Sequence, residues 1–193
     1  MIFTSLSPNA EKDDIKLALK TLLSPGSWHS VACVKNFEEE FKKWIQIDNV
    51  FTYNSGRTAL YEILSALKLQ PDDEVLVQAY TCVAVPGPVL WVGAKPVYVD
   101  CGDDYNMSPA DLERKITSKS RALIIQHTFG WPADLEKLLA ICRRHNLFII
   151  EDCAHALGAN YQGEKVGTFG DAAFFSFGRD KVISCVFGGL AVT

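Results

Sequence analysis

The sequence predicts an α/β fold in which helices cover both faces of a mainly parallel sheet, so that the chain forms three layers. Short apolar runs of strand length alternate with amphipathic runs of helix length. Strands that are buried on both faces are apolar throughout, and parallel strands need helical crossovers between them. No repeat, low-complexity segment or interdomain linker interrupts this alternation, so residues 1–193 are expected to form one domain.

Helices dominate the expected N-terminal part. Residues 11–24 carry apolar side chains among charged neighbours, and a Ser-Pro-Gly sequence ends the run. Residues 34–45 place apolar side chains on one helical face, and residues 55–69 form a third helix that Ser55 can cap. The helices within residues 1–50 are expected to pack on the rest of the domain.

Further along the chain, strands alternate with helices. Short apolar runs predict strands at residues 74–78, 95–100, 122–126, 147–150, 172–176 and 189–192. Helices are expected at residues 83–92 and 134–145. Because the chain stops in a run of strand character, these 193 residues are expected to be part of a longer protein.

Composition and charge argue against several classes of protein. The net charge of -4 disfavours a nucleic-acid-binding surface, which would need clustered Lys and Arg. No apolar run approaches the roughly 20 residues of a membrane span, and the N-terminus lacks a signal-peptide pattern. The six cysteines have no CxxC spacing, so we expect no metal site and reduced thiols in a cytoplasm.

A turn at residues 54–59 leads into the third helix and is a candidate anion site. Gly56 has no side chain, so backbone N–H groups at the helix start could approach an anion closely. The helix dipole would add to that attraction. A plain capped helix has the same pattern, and this segment alone favours that simpler interpretation.

Asp152 follows an apolar strand and is a candidate functional carboxylate. A buried carboxylate needs a partner, and a protonated pyridine nitrogen, an arginine or a helix N-terminus would each serve. An aspartate at a strand end is more often a helix cap. Nearby Cys153 and His155 do not make a metal site convincing, since no second cluster of ligands accompanies them.

Lys181 is a candidate nucleophile. It follows Ser176 by five residues in an apolar, glycine-rich stretch. A lone lysine is usually solvated and inert. Apolar surroundings, however, favour the uncharged amine, which is the form that imine chemistry needs.

Nine short runs, taken in order, carry a resemblance to a known family. They lie at residues 54–60, 80–81, 93–100, 127–130, 151–159, 167–171, 175–181, 188–189 and 192–193. In this combination the chain resembles the DegT/DnrJ/EryC1/StrS family of pyridoxal-phosphate (PLP) sugar aminotransferases, over about residues 30–193. The resemblance implies a PLP-dependent transferase-like large domain (aspartate aminotransferase fold type I) and a homodimer with active sites at the subunit interface. It also implies a nucleotide-linked keto-sugar as amino acceptor, and a C-terminal small domain that is expected to be absent from these 193 residues.

The resemblance implies two catalytic residues. Lys181 resembles the lysine that forms a Schiff base with PLP, and Asp152 resembles the carboxylate that keeps the pyridine nitrogen protonated. An amino donor, by family habit glutamate, displaces Lys181, and the freed amine then moves a proton between the donor carbon and the cofactor. The keto-sugar runs the same steps backwards.

The remaining cofactor contacts also follow from the resemblance. His155 stands beside the expected position of the ring's phenolic oxygen, and Ser176 matches a phosphate-binding hydroxyl. Gly56 and Arg57 match backbone amides at the phosphate. Cys82 occupies the place where many relatives carry an aromatic side chain that stacks on the ring, so a thiol contact is expected there.

Three other functions stay open at this point. A PLP- or pyridoxamine-dependent sugar dehydratase of the same family is disfavoured, because the dehydratases compared carry His where Lys181 stands. A fragment that folds or dimerises without turnover is favoured by the abrupt end of the chain. A general Rossmann-like nucleotide binder would need a glycine fingerprint that Gly56 alone does not supply.

Overall fold

The computed structural model describes residues 11–28 and 30–193, and strands alternate with helices along most of that chain. The α-helices are α1 (Lys12–Leu22), α2 (Val31–Ile45), α3 (Gly56–Ala66), α4 (Pro86–Trp91), α5 (Pro109–Lys115) and α6 (Leu135–His145). The strands are β1 (Val50–Tyr53), β2 (Glu74–Gln78), β3 (Lys95–Val99), β4 (Ser120–Gln126), β5 (Phe148–Asp152), β6 (Asn160–Tyr161), β7 (Glu164–Lys165), β8 (Ala172–Ser176) and β9 (Gly189–Val192).

Seven of these strands form one sheet in the order β1-β9-β8-β5-β4-β2-β3. The pairs that link β3, β2, β4, β5 and β8 are parallel, whereas β9 pairs antiparallel with both β8 and β1 at the other end of the sheet. The register of β4 and β5 places Gln126 opposite Asp152, so that the last residues of both strands lie at one edge. The prediction of a mainly parallel α/β sheet is confirmed.

Helices cover both faces of the sheet, because alternate residues of each central strand point to opposite sides. On one face, Leu112 of α5 and Leu138 of α6 share a buried cluster with Ile149. On the other face, Leu60 of α3 packs in a second cluster with Ile150. The predicted three-layer arrangement is therefore confirmed by the packing of neighbouring residues on β5.

Three elements were not among the predicted ones: β1, α5 and the β6–β7 hairpin. Each is short, and the strand that pairs with β1, which is β9, lies far along the chain. Two helix starts also differ from the prediction by three residues. α2 begins three residues early, where the Ser30 hydroxyl accepts a bond from the backbone N–H of Cys33 (3.3 Å), and α4 begins at Pro86 rather than at residue 83.

The first two helices differ in how they meet the domain. α2 packs through Phe41 and Ile45, both of which belong to a buried cluster with Phe175 of β8. α1 forms where a helix is expected, but it buries none of its residues, and Leu17 is 63% exposed.

Within residues 11–28 and 30–193, no helix has the length and apolar character needed to cross a membrane.

Candidate active site

A cavity of about 630 Å³ opens at the carboxyl ends of the parallel strands. This edge is where open α/β sheets bind their ligands, because loops and helix starts converge there. The cavity walls come from the loops after β2, β4, β5 and β8 and from the start of α3. All of the residues predicted as site residues line it: Gly56, Arg57, Cys82, Asp152, His155, Ser176 and Lys181.

The start of α3 forms one end of the cavity and is held close to β8. The Ser55 hydroxyl caps the helix by accepting a bond from the N–H of Thr58 (3.1 Å). A Cβ on Gly56 would lie 2.9 Å from the Cβ of Ser176. A Cβ on Gly189 would overlap the backbone of Ser55 and Gly56. Both glycines are therefore required for the helix N-terminus to reach the Ser176 side chain.

Asp152 is a buried acidic residue in the wall of the cavity. It is the last residue of β5, is 4% exposed and accepts a hydrogen bond from the backbone N–H of Ala154 (3.0 Å). Burial raises the pKa of Asp152 to about 6, although the Ala154 N–H and the positive charge of Lys181 offset part of that effect. A cation placed against this carboxylate would restore its charge.

Lys181 meets two other titratable groups at the cavity wall. Its Nζ lies 2.6 Å from the Nε2 of His155 and 3.3 Å from the Oδ2 of Asp180. Burial, followed by the charge of Lys181, lowers the pKa of His155. The Phe129 ring stacks on the imidazole, with 5.8 Å between the ring centroids and 11° between the planes. The lysine amine thus faces an imidazole nitrogen and a carboxylate.

A fully buried pair beneath the cavity, Glu151 and His127, joins two loops to β5. The Glu151 carboxylate accepts bonds from the backbone N–H groups of Gly167, Phe169 and Gly170 at 2.7 to 2.8 Å. The Nδ1 of His127 accepts a bond from a backbone N–H at Ala133, so its Nε2 carries the proton and donates to Glu151 (3.1 Å). We call this arrangement the Glu151 clamp.

The Glu151 clamp brings together donor atoms of a kind that bind metal ions, since the side chains of His127, Glu151 and Cys153 lie within 4.8 Å of one another. Hydrogen bonds already use the carboxylate and both imidazole nitrogens. Burial also raises the pKa of the Cys153 thiol well above its usual range, which disfavours the thiolate that binds metals. These contacts indicate a structural role for the cluster.

A second polar network fixes the loop after β2, which carries Tyr80 and Cys82. The Nε2 of buried Gln78 lies 2.8 Å from the carbonyl of Tyr80 and 2.9 Å from the Thr128 hydroxyl. Gln126 accepts a bond from the hydroxyl of the neighbouring Thr81. Cys82 is exposed at the cavity, and the half-exposed Tyr80 ring offers an aromatic surface beside it.

Sequence reasoning missed the partners that hold the site. Asp180 had no signal other than its position next to Lys181. His127 and Glu151 lie at or just past the ends of the adjacent parallel strands β4 and β5, and that placement is a usable signal, because the ends of such strands meet at one edge. Their pairing across 24 residues of sequence depends on the register of the sheet.

Comparisons with known proteins agree with this geometry. The model of the DegT/DnrJ/EryC1/StrS aminotransferase family matches residues 9–193. The chain is 38% identical to GDP-perosamine synthase of Escherichia coli O157:H7 over 83% of this chain and 44% of that protein. It is 44% identical to a UDP-N-acetyl-3-dehydro-alpha-D-glucosamine 3-aminotransferase of Acidithiobacillus ferrooxidans, over 72% of this chain and 38% of that protein.

Solved structures have the same fold. An aminotransferase from Psychrobacter cryohalolentis superposes with a TM-score of 0.88 at 33% identity, covering 98% of this chain and 49% of that one. Spr1654 of Streptococcus pneumoniae, solved in a PLP form, superposes with a TM-score of 0.86 at 30% identity, covering 96% of this chain and 51% of that one. The chain spans less than half the length of the curated relatives described above.

Proposed function

Because the chain belongs to the DegT/DnrJ/EryC1/StrS aminotransferase family, we propose that it is the PLP-binding domain of a sugar aminotransferase. The amino group would come from glutamate and pass to the keto group of a nucleotide-linked sugar. The names of the relatives support this substrate class, since GDP-perosamine synthase and the UDP-linked 3-aminotransferase both act on nucleotide-linked sugars. The observation that carries the proposal is that Lys181 and Asp152 line the same cavity.

The phosphate end of PLP fits the start of α3. Backbone N–H groups at a helix N-terminus attract anions, and Gly56 allows the closest approach. The Ser176 hydroxyl lies on the same wall, where it accepts a bond from the N–H of Gly178 at 3.4 Å and retains its own proton for a phosphate oxygen. The exposed Arg57 side chain adds a positive charge at the cavity.

The ring nitrogen of PLP fits Asp152. This carboxylate is buried and accepts one hydrogen bond among the described residues, and burial raises its pKa, so its ionised form needs a counter-charge. A protonated pyridine nitrogen supplies that charge, as the proposal requires. When bound, the cofactor provides the electron sink for bonds broken at the substrate carbon. Asp152 holds the nitrogen proton that makes this possible.

The aldehyde end of PLP fits the Lys181 amine, which lies on the same cavity as Asp152. Lys181 would bind the cofactor covalently at rest. Once the amino donor displaces Lys181, the Lys181 Nζ would take a proton from the donor carbon and pass it to the cofactor. His155 would lie beside the phenolic oxygen of the ring, and Cys82 together with Tyr80 would limit the ring's outer face.

The assembly and compartment are part of the same proposal. We propose a homodimer in which active sites lie at the subunit interface, and light scattering at several concentrations tests it. The exposed apolar side chains along α1, such as Ile15 and Leu22, agree with a surface that another part of the assembly covers. A cytoplasmic location agrees with the free cysteines, since reduced thiols persist there.

The glutamate half-reaction tests the function. The chain is loaded with PLP, excess cofactor is removed, L-glutamate is added, and 2-oxoglutarate is measured. We expect about one 2-oxoglutarate per bound cofactor, because a ping-pong enzyme stops after one half-reaction without an acceptor. Lys181→Ala should form none, whereas Lys119→Ala, at an exposed lysine, should behave as wild type. A PLP-loaded chain that forms no 2-oxoglutarate would support the non-catalytic alternative instead.

A further inference from the structure

Phe129 has a strained backbone at the wall of the cavity. Its φ of 53° and ψ of 27° lie in the left-handed region, which aromatic residues seldom adopt. The Phe129 side chain is 50% exposed, so burial in the core does not account for this conformation. A strained residue persists only where its surroundings hold it in place, and such residues cluster at functional sites. Phe129 is therefore a candidate for a role at the cavity.

The preceding residue, Thr128, holds the turn in this conformation. Thr128 is buried, and its hydroxyl oxygen accepts bonds from the Nε2 of Gln78 (2.9 Å) and the Nε2 of Gln126 (3.0 Å). The same hydroxyl donates to the carbonyl of Tyr105 (3.0 Å), and the Thr128 N–H donates to the Oδ1 of Asn106 (3.0 Å). These bonds tie the turn to β2, β4 and the loop between β3 and α5, so relaxing the turn would break buried hydrogen bonds.

The turn also lies directly against the loop that carries His155. Gly130 has a φ of 85°, and a Cβ at this position would lie 3.1 Å from the backbone oxygen of His155. The Gly130 N–H donates to the carbonyl of His127 (3.2 Å) and closes the turn. A larger residue at position 130 would push the turn away from His155. Two successive left-handed residues therefore bring the turn to the imidazole.

This backbone geometry produces a row of three rings at the cavity. The Phe129 ring is nearly parallel to the His155 imidazole, with 11° between the planes and 5.8 Å between the centroids. The Tyr80 ring meets the Phe129 ring at 68°, with 6.3 Å between the centroids. Both arrangements are favourable for aromatic pairs. Because backbone angles set the direction of a side chain, a relaxed backbone would aim the Phe129 ring away from the imidazole.

His155 connects this packing to the chemistry of the cavity. The Nε2 of its imidazole lies 2.6 Å from the Nζ of Lys181. The His155 side chain is 38% exposed, and rotation about the Cβ–Cγ bond of a histidine is only weakly restricted. A half-turn about that bond would place the carbon Cε1 where Nε2 now lies. The Phe129 ring opposes this rotation, because an imidazole that turns out of its plane would strike the phenyl face.

From this geometry we propose that Phe129 is a positioning residue, whose strained backbone lays the phenyl ring against His155 and thereby keeps the imidazole Nε2 at Lys181. The inference rests on the proposed function, in which His155 lies beside the phenolic oxygen of PLP and Lys181 binds the aldehyde. It deepens that function by adding a residue of the turn after β4. Phe129 acts through the imidazole and takes no part in proton transfer.

Two substitutions separate the backbone of Phe129 from its ring. Phe129→Ala removes the ring and keeps the strain, whereas Phe129→Gly removes both, because glycine adopts left-handed angles freely. We expect Phe129→Gly to unfold at a higher temperature than Phe129→Ala in thermal unfolding. An alanine variant at least as stable as the glycine variant would show that the turn is not strained, and would overturn the proposal.

NMR of the cofactor-free chain follows the imidazole itself. In the wild type we expect ring-current shifts of the His155 ring protons from Phe129, and nuclear Overhauser contacts between those protons and the Lys181 side chain. Both signals should be lost in Phe129→Ala and Phe129→Gly alike, although these variants differ in stability, and both should return in Phe129→Tyr. Trp131→Ala is the matched control and should keep both signals, because this exposed ring adjoins the same turn but does not line the cavity.

Unchanged ring-proton shifts and Lys181 contacts in Phe129→Ala would overturn the proposal. The bound cofactor provides a further measurement, because hydrogen bonds from the protein tune the electronic structure of the cofactor ring. We expect the visible absorption band of bound PLP to shift in Phe129→Ala and to return in Phe129→Tyr, and an unshifted band in Phe129→Ala would also overturn the proposal. Failure of the proposed function would appear separately, as a wild-type chain that shows the NMR contacts but no PLP band.

Discussion

Glu151 and Asp152 are neighbours on β5, and their carboxylates serve opposite sides of the sheet. Glu151 accepts hydrogen bonds from His127 and from the loop at residues 167–170, whereas Asp152 lines the cavity. The alternation of side chains along a strand places them on opposite faces. These two adjacent acidic residues therefore differ in role, since Glu151 holds the loops in place and Asp152 faces the cavity.

Glu151→Gln should destabilise the fold. The amide replaces one acceptor oxygen by a donor that faces backbone N–H groups, so at least one of these bonds is lost in a fully buried place. We expect a loss of about 2–4 kcal/mol in the free energy of unfolding. Urea unfolding measures it, with the exposed Glu164→Gln as the control that should change stability by less than about 0.5 kcal/mol. Equal effects of the two substitutions would contradict the clamp.

Asp152→Asn should change how stability depends on pH. Burial raises the pKa of Asp152 to about 6, so the folded chain retains a proton that the unfolded chain has released. This contribution to stability is complete below about pH 4 and is lost as the pH rises through about 6. We expect the wild type to lose about 2–3 kcal/mol relative to Asp152→Asn between about pH 4 and pH 7. Urea unfolding at several pH values measures the difference, and a constant difference would contradict the raised pKa.

Gly56→Ala should weaken both the fold and phosphate binding. The new Cβ would lie 2.9 Å from the Cβ of Ser176 and 3.1 Å from the carbonyl oxygen of Phe175, so α3 must move away from β8. We expect a loss of about 1–3 kcal/mol in stability and a weaker affinity for PLP, measured by thermal unfolding and cofactor titration. Gly26→Ala is the matched control, because a Cβ there meets nothing within 4 Å. Unchanged PLP affinity in Gly56→Ala would argue against a phosphate at the start of α3.

Most of the central sheet could be predicted from the sequence, because its strands are apolar runs with an unambiguous pattern. Residues 74–78 and 172–176 are strands with the predicted bounds, since burial on both faces selects apolar side chains at their central positions. β1 could not be predicted with the same tools. Its four residues become a strand only because Val50–Tyr53 pairs with β9, about 140 residues later in the chain.

Single residues of the candidate site could be predicted from motifs. The contacts between residues that hold the site together could not. Asp152 and Lys181 are predicted as site residues because each belongs to a recognisable run, and both line the cavity. The bond between His127 and Glu151, and the place of Asp180 between two nitrogens, depend on strand register and on one turn. The exposed apolar side chains of α1 likewise follow from packing, which helical periodicity alone does not determine.

Reductive trapping of PLP on the purified chain tests the central claim most directly. The chain is mixed with PLP, reduced with borohydride and digested, and the modified lysine is located by mass spectrometry. The account predicts a cofactor adduct on the peptide that contains Lys181, and no adduct in Lys181→Ala. Labelling spread over surface lysines, or equal labelling of wild type and Lys181→Ala, would contradict it.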